Sequence, residues 1–308
     1  MNDKIQHTEP KSEQNRTIYD SLFKATIRKI DVLASFLHEY VDEYMDMSRE
    51  EILACIDKEE TGRYAKDCNP QPTIGEKDGS RMDSLFRIRL PDSSGSIAVY
   101  VNIEGQNRFH MPYPLEKRAE YYVSELLYSQ NGKEILNHDY GNLKKVYSIW
   151  LLFNPPERLM NTVVRYDRCH RVLFGEPQVS VPEMDLTHVI MVYIGNYEKS
   201  LPDALALVSA LFSSNINSET RFRTLDERFK IKYNDEERRE VEEMLSLHDS
   251  FYEGYVSYGI VKGTSSVVAS LTTKLNMSVE QAMDLLDVPS DVRDEVRQQA
   301  EIILSQRN

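Results

Sequence analysis

A mixed α/β protein is predicted from three features of the sequence. Two strand-like runs, at 83–90 and 97–104, flank a short polar loop. A near-continuous apolar run, Lys145–Phe153, has the character of a strand covered on both faces. Apolar residues at three- and four-residue steps mark helices toward both ends of the chain. Helix-rich ends around a strand-centred middle define the mixed class.

The elements follow in order. The opening stretch MNDKIQHTEPKSEQNR is polar, lacks the apolar core of a signal peptide, and is read as a flexible tail over 1–16. From Tyr19 to Val41 one apolar stripe predicts a helix. Ser48 stands three residues before Glu51, the capping-box spacing that opens a second, short helix. Positions 57–80, rich in glycine, proline and charge, are read as loop. A helix is expected over Leu115–Tyr128, and strands over Thr162–Tyr166 and His188–Ile194. Beyond Leu201 the pattern is helical; the late helix carries Gly254, Gly259 and Gly263, each costing about 1 kcal/mol against alanine. The expected division is a strand-centred domain over 17–197, nuclease-like by the resemblance described below, and a helical C-terminal region over 198–308.

Composition narrows the function classes. With 41% hydrophobic and 28% charged residues among 308, the chain is an ordinary globular one. It has no apolar run near the roughly 20 residues of a membrane span. Its three cysteines form no CxxC pair, which indicates neither a disulfide framework nor a zinc knuckle and fits the reducing cytoplasm. A net charge of −13 excludes a protein that coats nucleic acid non-specifically. Positions 81–118 depart from that balance, with six bases (Arg81, Arg87, Arg89, Arg108, Lys117, Arg118) against four acids (Asp83, Asp92, Glu104, Glu116).

The central hairpin carries the sharpest inference. If Leu90 and Ile97 close its loop, paired residue numbers sum to 187 and Asp83 stands opposite Glu104. Cross-strand partners share a face. One face then collects Phe86, Ile88, Leu90, Ile97, Val99, Val101 and Ile103, and the other Asp83, Leu85, Arg87, Arg89, Tyr100, Asn102, Glu104 and, one step further, Gln106. A slip by one residue would invert both sets, so the apolar face fixes the register. Opposed like charges destabilise a strand pair unless something compensates. A hard divalent cation would do so; a solvated polar face with Arg87 and Arg89 neutralising the acids is the other reading.

Arg81-Met82-Asp83-Ser84, Asn102-Ile103-Glu104-Gly105-Gln106 and Arg118-Ala119-Glu120-Tyr121-Tyr122 together resemble the recombination-promoting nuclease and transposase-like family of the PD-(D/E)XK nuclease superfamily. Tyr19-Asp20-Ser21-Leu22-Phe23-Lys24 resembles that family's opening Asp-x-x-Phe-Lys element. The resemblance implies a restriction-endonuclease-like core, a central mixed sheet flanked by helices. It also implies Mg²⁺ or Mn²⁺ held by Asp83 and Glu104, and double-stranded DNA as substrate. Gln106 falls where the superfamily has lysine; it has no charge but can orient a water through its amide. Arg118 would contact the scissile phosphate with its planar fork. Arg87 and Tyr122 are further candidates for substrate contact, one of the paired tyrosines being core and the other lining the site.

Other candidates are weaker. Glu39 and Glu43 are considered for a third acid, although exposed glutamates on an acidic helix ordinarily form a solvated face. Cys169, His170 and His188 fit no zinc spacing, and His110 is read as a surface-loop residue. Ser278-Val279-Glu280-Gln281 is a capping box, and Ser290 is expected to cap the last helix. That helix holds four acids (Asp291, Asp294, Glu295, Glu301) against Arg293 and Arg297, a poor surface for DNA; packing or self-association is expected of the C-terminal helices. Two functions stand: a metal-dependent DNA endonuclease, or a catalytically inactive nuclease-fold protein that binds nucleic acid or a protein partner. An unrelated hydrolase using the same two acids is a third.

Overall fold

A computed structural model describes residues 9–68, 82–90, 97–106, 113–177, 179, 184–290 and 292–306. By contact the chain forms two compact units, 1–245 and 246–308.

The first unit is built on a five-stranded mixed sheet, and the chain has the α/β class read from its sequence. Helices α1 (Glu9–Arg28), α2 (Ile30–Tyr40) and α3 (Arg49–Cys55) lead into β1 (Ser84–Arg89) and β2 (Ile97–Gln106). Then come α4 (Leu115–Tyr128), β3 (Lys145–Leu152), β4 (Thr162–Asp167) and β5 (Thr187–Tyr193). Helices α5 (Asp203–Phe212) and α6 (Ser218–Phe229) follow in the same unit, whose boundary lies within α7 (Asp235–Leu275).

Two expectations for the N-terminal helix need correction. Helix starts at Glu9 rather than Tyr19, so the tail reading fails for 9–16, while 1–8 lie outside the described residues. The single stripe is also two helices. Lys29 makes an isolated antiparallel bridge to Tyr64, and the Ile30 N–H bonds to the Arg63 carbonyl at 3.1 Å, which ends α1 one residue before α2 begins. The capping box of α3 forms as read: the Ser48 N–H donates to Glu51 Oε2 (2.8 Å) and the Glu51 N–H to Ser48 Oγ (3.3 Å). Of the expected loop, positions 69–80 lie outside the described residues.

The strand order is β1-β2-β3-β5-β4, with β2, β3 and β5 parallel and β1 and β4 antiparallel at the edges. A parallel centre needs both faces covered, which is why β5 is buried along its whole length and β3 everywhere but Lys145. On one face, α4 lays Ala119, Tyr122, Val123 and Leu126 over Tyr100, Trp150 and Met191. On the other, Phe23 of α1, Phe153 and Phe212 of α5 form an aromatic cluster with ring centroids 5.3–6.2 Å apart. Such pairs contribute about 0.5–1.5 kcal/mol each beyond the area they bury.

The hairpin ladder runs from Ser84↔Ile103 to Ile88↔Val99 with the expected sum, then shifts, so that Arg89 pairs with Ile97. Ile97 is therefore not the partner of Leu90. The irregularity is confined to the turn end and leaves the other end in register.

The second unit contains α8 (Val279–Leu285) and α9 (Arg293–Ser305), packed through Val268, Ala282, Met283, Val296 and Ala300. The Ser278/Gln281 capping box opens α8 as expected. Ser290 does not cap α9: Val292 occupies that position and makes no side-chain cap bond. Both arginines of α9 are taken up by acids, Arg293 by Glu280 and Asp284, Arg297 by Glu280 and Asp294. Among the described residues no helix is long and apolar enough to cross a membrane.

Candidate active site

Asp83 precedes the first residue of β1, and Glu104 lies one step beyond Ile103, the partner of Ser84. The two acids are locked side by side through the backbone. The Asp83 N–H donates to Glu104 Oε1 at 2.9 Å, and the Gly105 N–H donates to Asp83 Oδ2 at 2.8 Å. Each strand thus fixes the other strand's carboxylate. Glu104 is 2% exposed, with Asp83 partly buried beside it.

Burial dominates their electrostatics. It is the largest influence pushing the Glu104 carboxyl up to about 8, with the Asp83 charge next. Asp83 is also raised, by burial first; the Gly105 N–H, Lys24 and Arg118 oppose the shift and Asp20 adds to it. Paired oxygen donors that repel one another in a dry place match the needs of a hard divalent cation, which takes one or two carboxylates plus waters and substrate phosphate. Among the described residues no group of three or more His, Cys, Asp or Glu gathers for a metal.

Arg118 reaches the pair from the first turns of α4. Its Nη2 lies 3.9 Å from Glu104 Oε2, and its Nη1 donates to Gln106 Oε1 at 3.3 Å. Nε and Nη2 both donate to the Tyr122 hydroxyl, at 3.0 and 2.7 Å. The guanidinium also lies over the rings of Tyr122 and Trp150, 5.1 and 5.3 Å from their centroids. Behind it, Ser148 Oγ accepts from Trp150 Nε1 (2.9 Å) and Asn102 Nδ2 (3.1 Å), which holds the floor of the site still. Arg118 is a half-buried cation stacked in place. Tyr122 combines the roles expected of two tyrosines, its ring in the core and its hydroxyl on Arg118, while Tyr121 is 59% exposed.

Other candidates lie elsewhere. Arg87 is on the same strand face as Asp83 but four residues away, about 13 Å at strand rise; it packs over Tyr100, so it does not join the site. Arg89 pairs with Asp57 at 3.0 Å. Neither arginine neutralises the acids, which sets aside the alternative of a solvated face balanced by Arg87 and Arg89, and α4 covers Leu85 and Tyr100 of that face. Glu43 serves the other end of the sheet, accepting from the Tyr147 hydroxyl and Lys145. Glu39 lines a cleft with Asp203 and Arg228. Besides Glu104, Asp83 feels Asp20 of α1, together with Lys24 one turn on. Both were within the Asp-x-x-Phe-Lys string, and their spacing of four puts them on one helix face beside buried Phe23. His188 is structural: it stacks on Tyr147 and its Nδ1 lies 2.6 Å from Asp167. Cys169 is exposed. Arg81, Arg108 and His110 lie outside the described residues.

Comparison with protein-family models, curated proteins and solved structures finds no match for this chain.

Proposed function

We propose that this protein is a divalent-metal-dependent DNA endonuclease of the recombination-promoting, transposase-like type. The observation that carries the reading is the buried Asp83–Glu104 pair with Arg118 beside it. In this reading Asp83 and Glu104 hold Mg²⁺ or Mn²⁺ at the end of the hairpin. When bound there, the cation lowers the pKa of an attached water and offsets charge at the phosphate. Arg118 supplies a fixed planar fork for a phosphate oxygen, already oriented by Tyr122 and Trp150. Gln106 gives up its bond to Arg118 and turns its amide to a water. The substrate is double-stranded DNA, the compartment the cytoplasm, and the C-terminal helices provide a surface for self-association.

A second reading is a nuclease-fold protein that binds nucleic acid or a protein partner without cleaving. Two features favour it: the neutral Gln106 is tied to Arg118, and the chain carries a net charge of −13.

Nicking of supercoiled plasmid in Mg²⁺ or Mn²⁺ separates the two. The expected result is cleavage by the wild type and none by Asp83→Asn or Glu104→Gln, with all three proteins folded alike. Equal cleavage by all three would trace the activity to another source, and an inert wild type supports the binding-only reading.

A further inference from the structure

The two edges of the sheet differ. Along β1, Ile56 bridges Ile88 and the Cys68 N–H donates to the Leu85 carbonyl at 2.8 Å, so the chain itself covers that edge. Along the outer side of β4 no backbone partner stands among the described residues, and Arg165, Tyr166 and Asp167 are exposed. The neighbouring strands show which groups are left open. The Val146 N–H donates to the Leu186 carbonyl and the Ile194 N–H to the Leu152 carbonyl, so the even-numbered residues of β5 turn their backbone groups to β3. Val189, Met191 and Tyr193 therefore turn theirs to β4, where their partners are Tyr166, Val164 and Thr162. The N–H and C=O groups of Val163, Arg165 and Asp167 point outward. Such a row is a template for another strand, and β4 has neither the proline nor the lysine that commonly blunts an edge.

We propose that β4 pairs antiparallel with β4 of a second copy of this chain, about a two-fold axis at Tyr166. Charge selects that register. With Tyr166 opposite itself, Arg165 of each copy stands across from Asp167 of the other, in the hydrogen-bonded pairs that the outward groups form. Centred on Arg165, the ladder would set arginine against arginine; centred on Val164, both charges would face uncharged residues. Arg165 already holds Asp42 and, at 2.8 Å, its own Asp167, so the cross-copy pairs extend a network that is in place. The two Tyr166 rings, 44% exposed in one copy, meet at the closely spaced position that lacks hydrogen bonds. The ladder is short, and the segments beside it complete the contact. The same axis carries Leu173 and Phe174, 87% and 100% exposed, toward Met160 of the other copy, itself exposed just before β4. Adjacent apolar residues at a loop tip mark a contact surface, and the second copy covers them. The pairing is isologous and closes at two copies. It lies three strands from β2 and does not depend on the nuclease reading.

The test uses the full-length protein in sedimentation velocity over a range of concentrations. The expected result is a monomer–dimer equilibrium whose dissociation constant rises about tenfold in Tyr166→Lys, which sets two ammonium groups across the axis and removes the ring pair. A second measurement reads the register without weakening the edge. In a Cys169→Ser background, which removes the exposed cysteine beside β4, Tyr166→Cys should give a disulfide-linked dimer under mild oxidation. Thr162→Cys, which faces position 170 of the other copy, should not. A wild type that stays monomeric at every concentration overturns the proposal, as does equal crosslinking at the two positions. A dimer that Tyr166→Lys leaves intact and Val267→Glu, on the exposed side of α7, dissolves would assign self-association to the C-terminal helices and overturn it equally.

Discussion

The ring of Phe23 fills the space that a side chain at position 105 would need. A Cβ placed on Gly105 would fall 2.7 Å from Phe23 Cζ and 2.9 Å from Cε1. Gly105 separates Glu104 from Gln106 and faces the opposite side of the sheet from both. The contact therefore presses α1 against the strand that bears the site, and it brings Asp20 and Lys24 to the vicinity of Asp83. Gly105→Ala is expected to cost about 1–3 kcal/mol, as overpacking does, because Phe153 and Phe212 leave the ring little room to retreat. Urea denaturation measures the loss. The combination with Phe23→Leu should be less destabilised than the two single changes added together; strict additivity would show that the clash does not occur.

Arg118→Lys keeps a charge but removes the fork that meets the Tyr122 hydroxyl twice. The expected outcome is a folded protein with a melting temperature within a few degrees of wild type and plasmid nicking reduced at least tenfold. Nicking at the wild-type rate would show that the phosphate is held by another residue.

The Glu237 carboxylate anchors the start of α7 to the turn between α1 and α2. It accepts from Lys29 Nζ at 2.7 Å, from the Asn234 N–H at 2.9 Å and from the Tyr64 hydroxyl at 3.3 Å, and Arg63 also pairs with it. Lys29 and Glu237 are each 5% exposed. Glu237→Gln leaves the Lys29 ammonium buried without its counter-charge, a loss of about 3–5 kcal/mol for pairs of this kind. Chemical denaturation checks it; a change below about 1 kcal/mol would mean that water reaches Lys29.

The Asp83–Glu104 juxtaposition was legible in the sequence because Phe86, Ile88, Val99, Val101 and Ile103 admit only one register. The turn end was not, because the shift between Ile88 and Arg89 leaves no mark in an alternation that holds on both sides of it. For the second face the sequence left a cation-holding pair and a solvated polar face both open, because the partners of Tyr100, Asn102 and Glu104 could not be read from it: Glu134 for the Tyr100 hydroxyl, Ser148 for the Asn102 amide and the Asp83 N–H for Glu104. Those partners come from elements distant in sequence. Asp20 was missed likewise, since a helical stripe tells which side of α1 is buried and not which strand end it meets. Arg87 shares a face with Asp83, but sharing a face says nothing of the four residues between them.

The pH dependence of stability follows from the carboxyl pair. Glu104 has an ordinary carboxyl value near 4.5 when unfolded and is held at about 8 in the folded protein. A raised folded value means that the native state binds the extra proton. Its stabilising contribution is complete below about 4.5 and is lost as pH rises through about 8. Asp83, also raised, acts in the same direction. The carboxylates held low by cationic partners, Asp42 beside Arg165 and Asp185 beside Lys145, have the opposite sign, but their gain is complete once pH exceeds their unfolded value near 3.8. Those gains are therefore constant from pH 5 to 8. Glu39 and Glu240, also raised by burial, act there in the same direction as the pair, and comparison with Glu104→Gln isolates the Glu104 share. Without divalent ions the protein should lose on the order of 1–3 kcal/mol across that interval, and Glu104→Gln, which has no proton to lose, should be flatter. Added Mg²⁺ should flatten the wild-type curve too, because a cation taking the proton's place stabilises the folded state more as pH rises. Urea titrations at several pH values, with and without Mg²⁺, measure all three curves. A wild-type stability that rises from pH 5 to 8 in parallel with Glu104→Gln would show that Glu104 is ionised without help, and would remove the electrostatic reason for a cation at the pair.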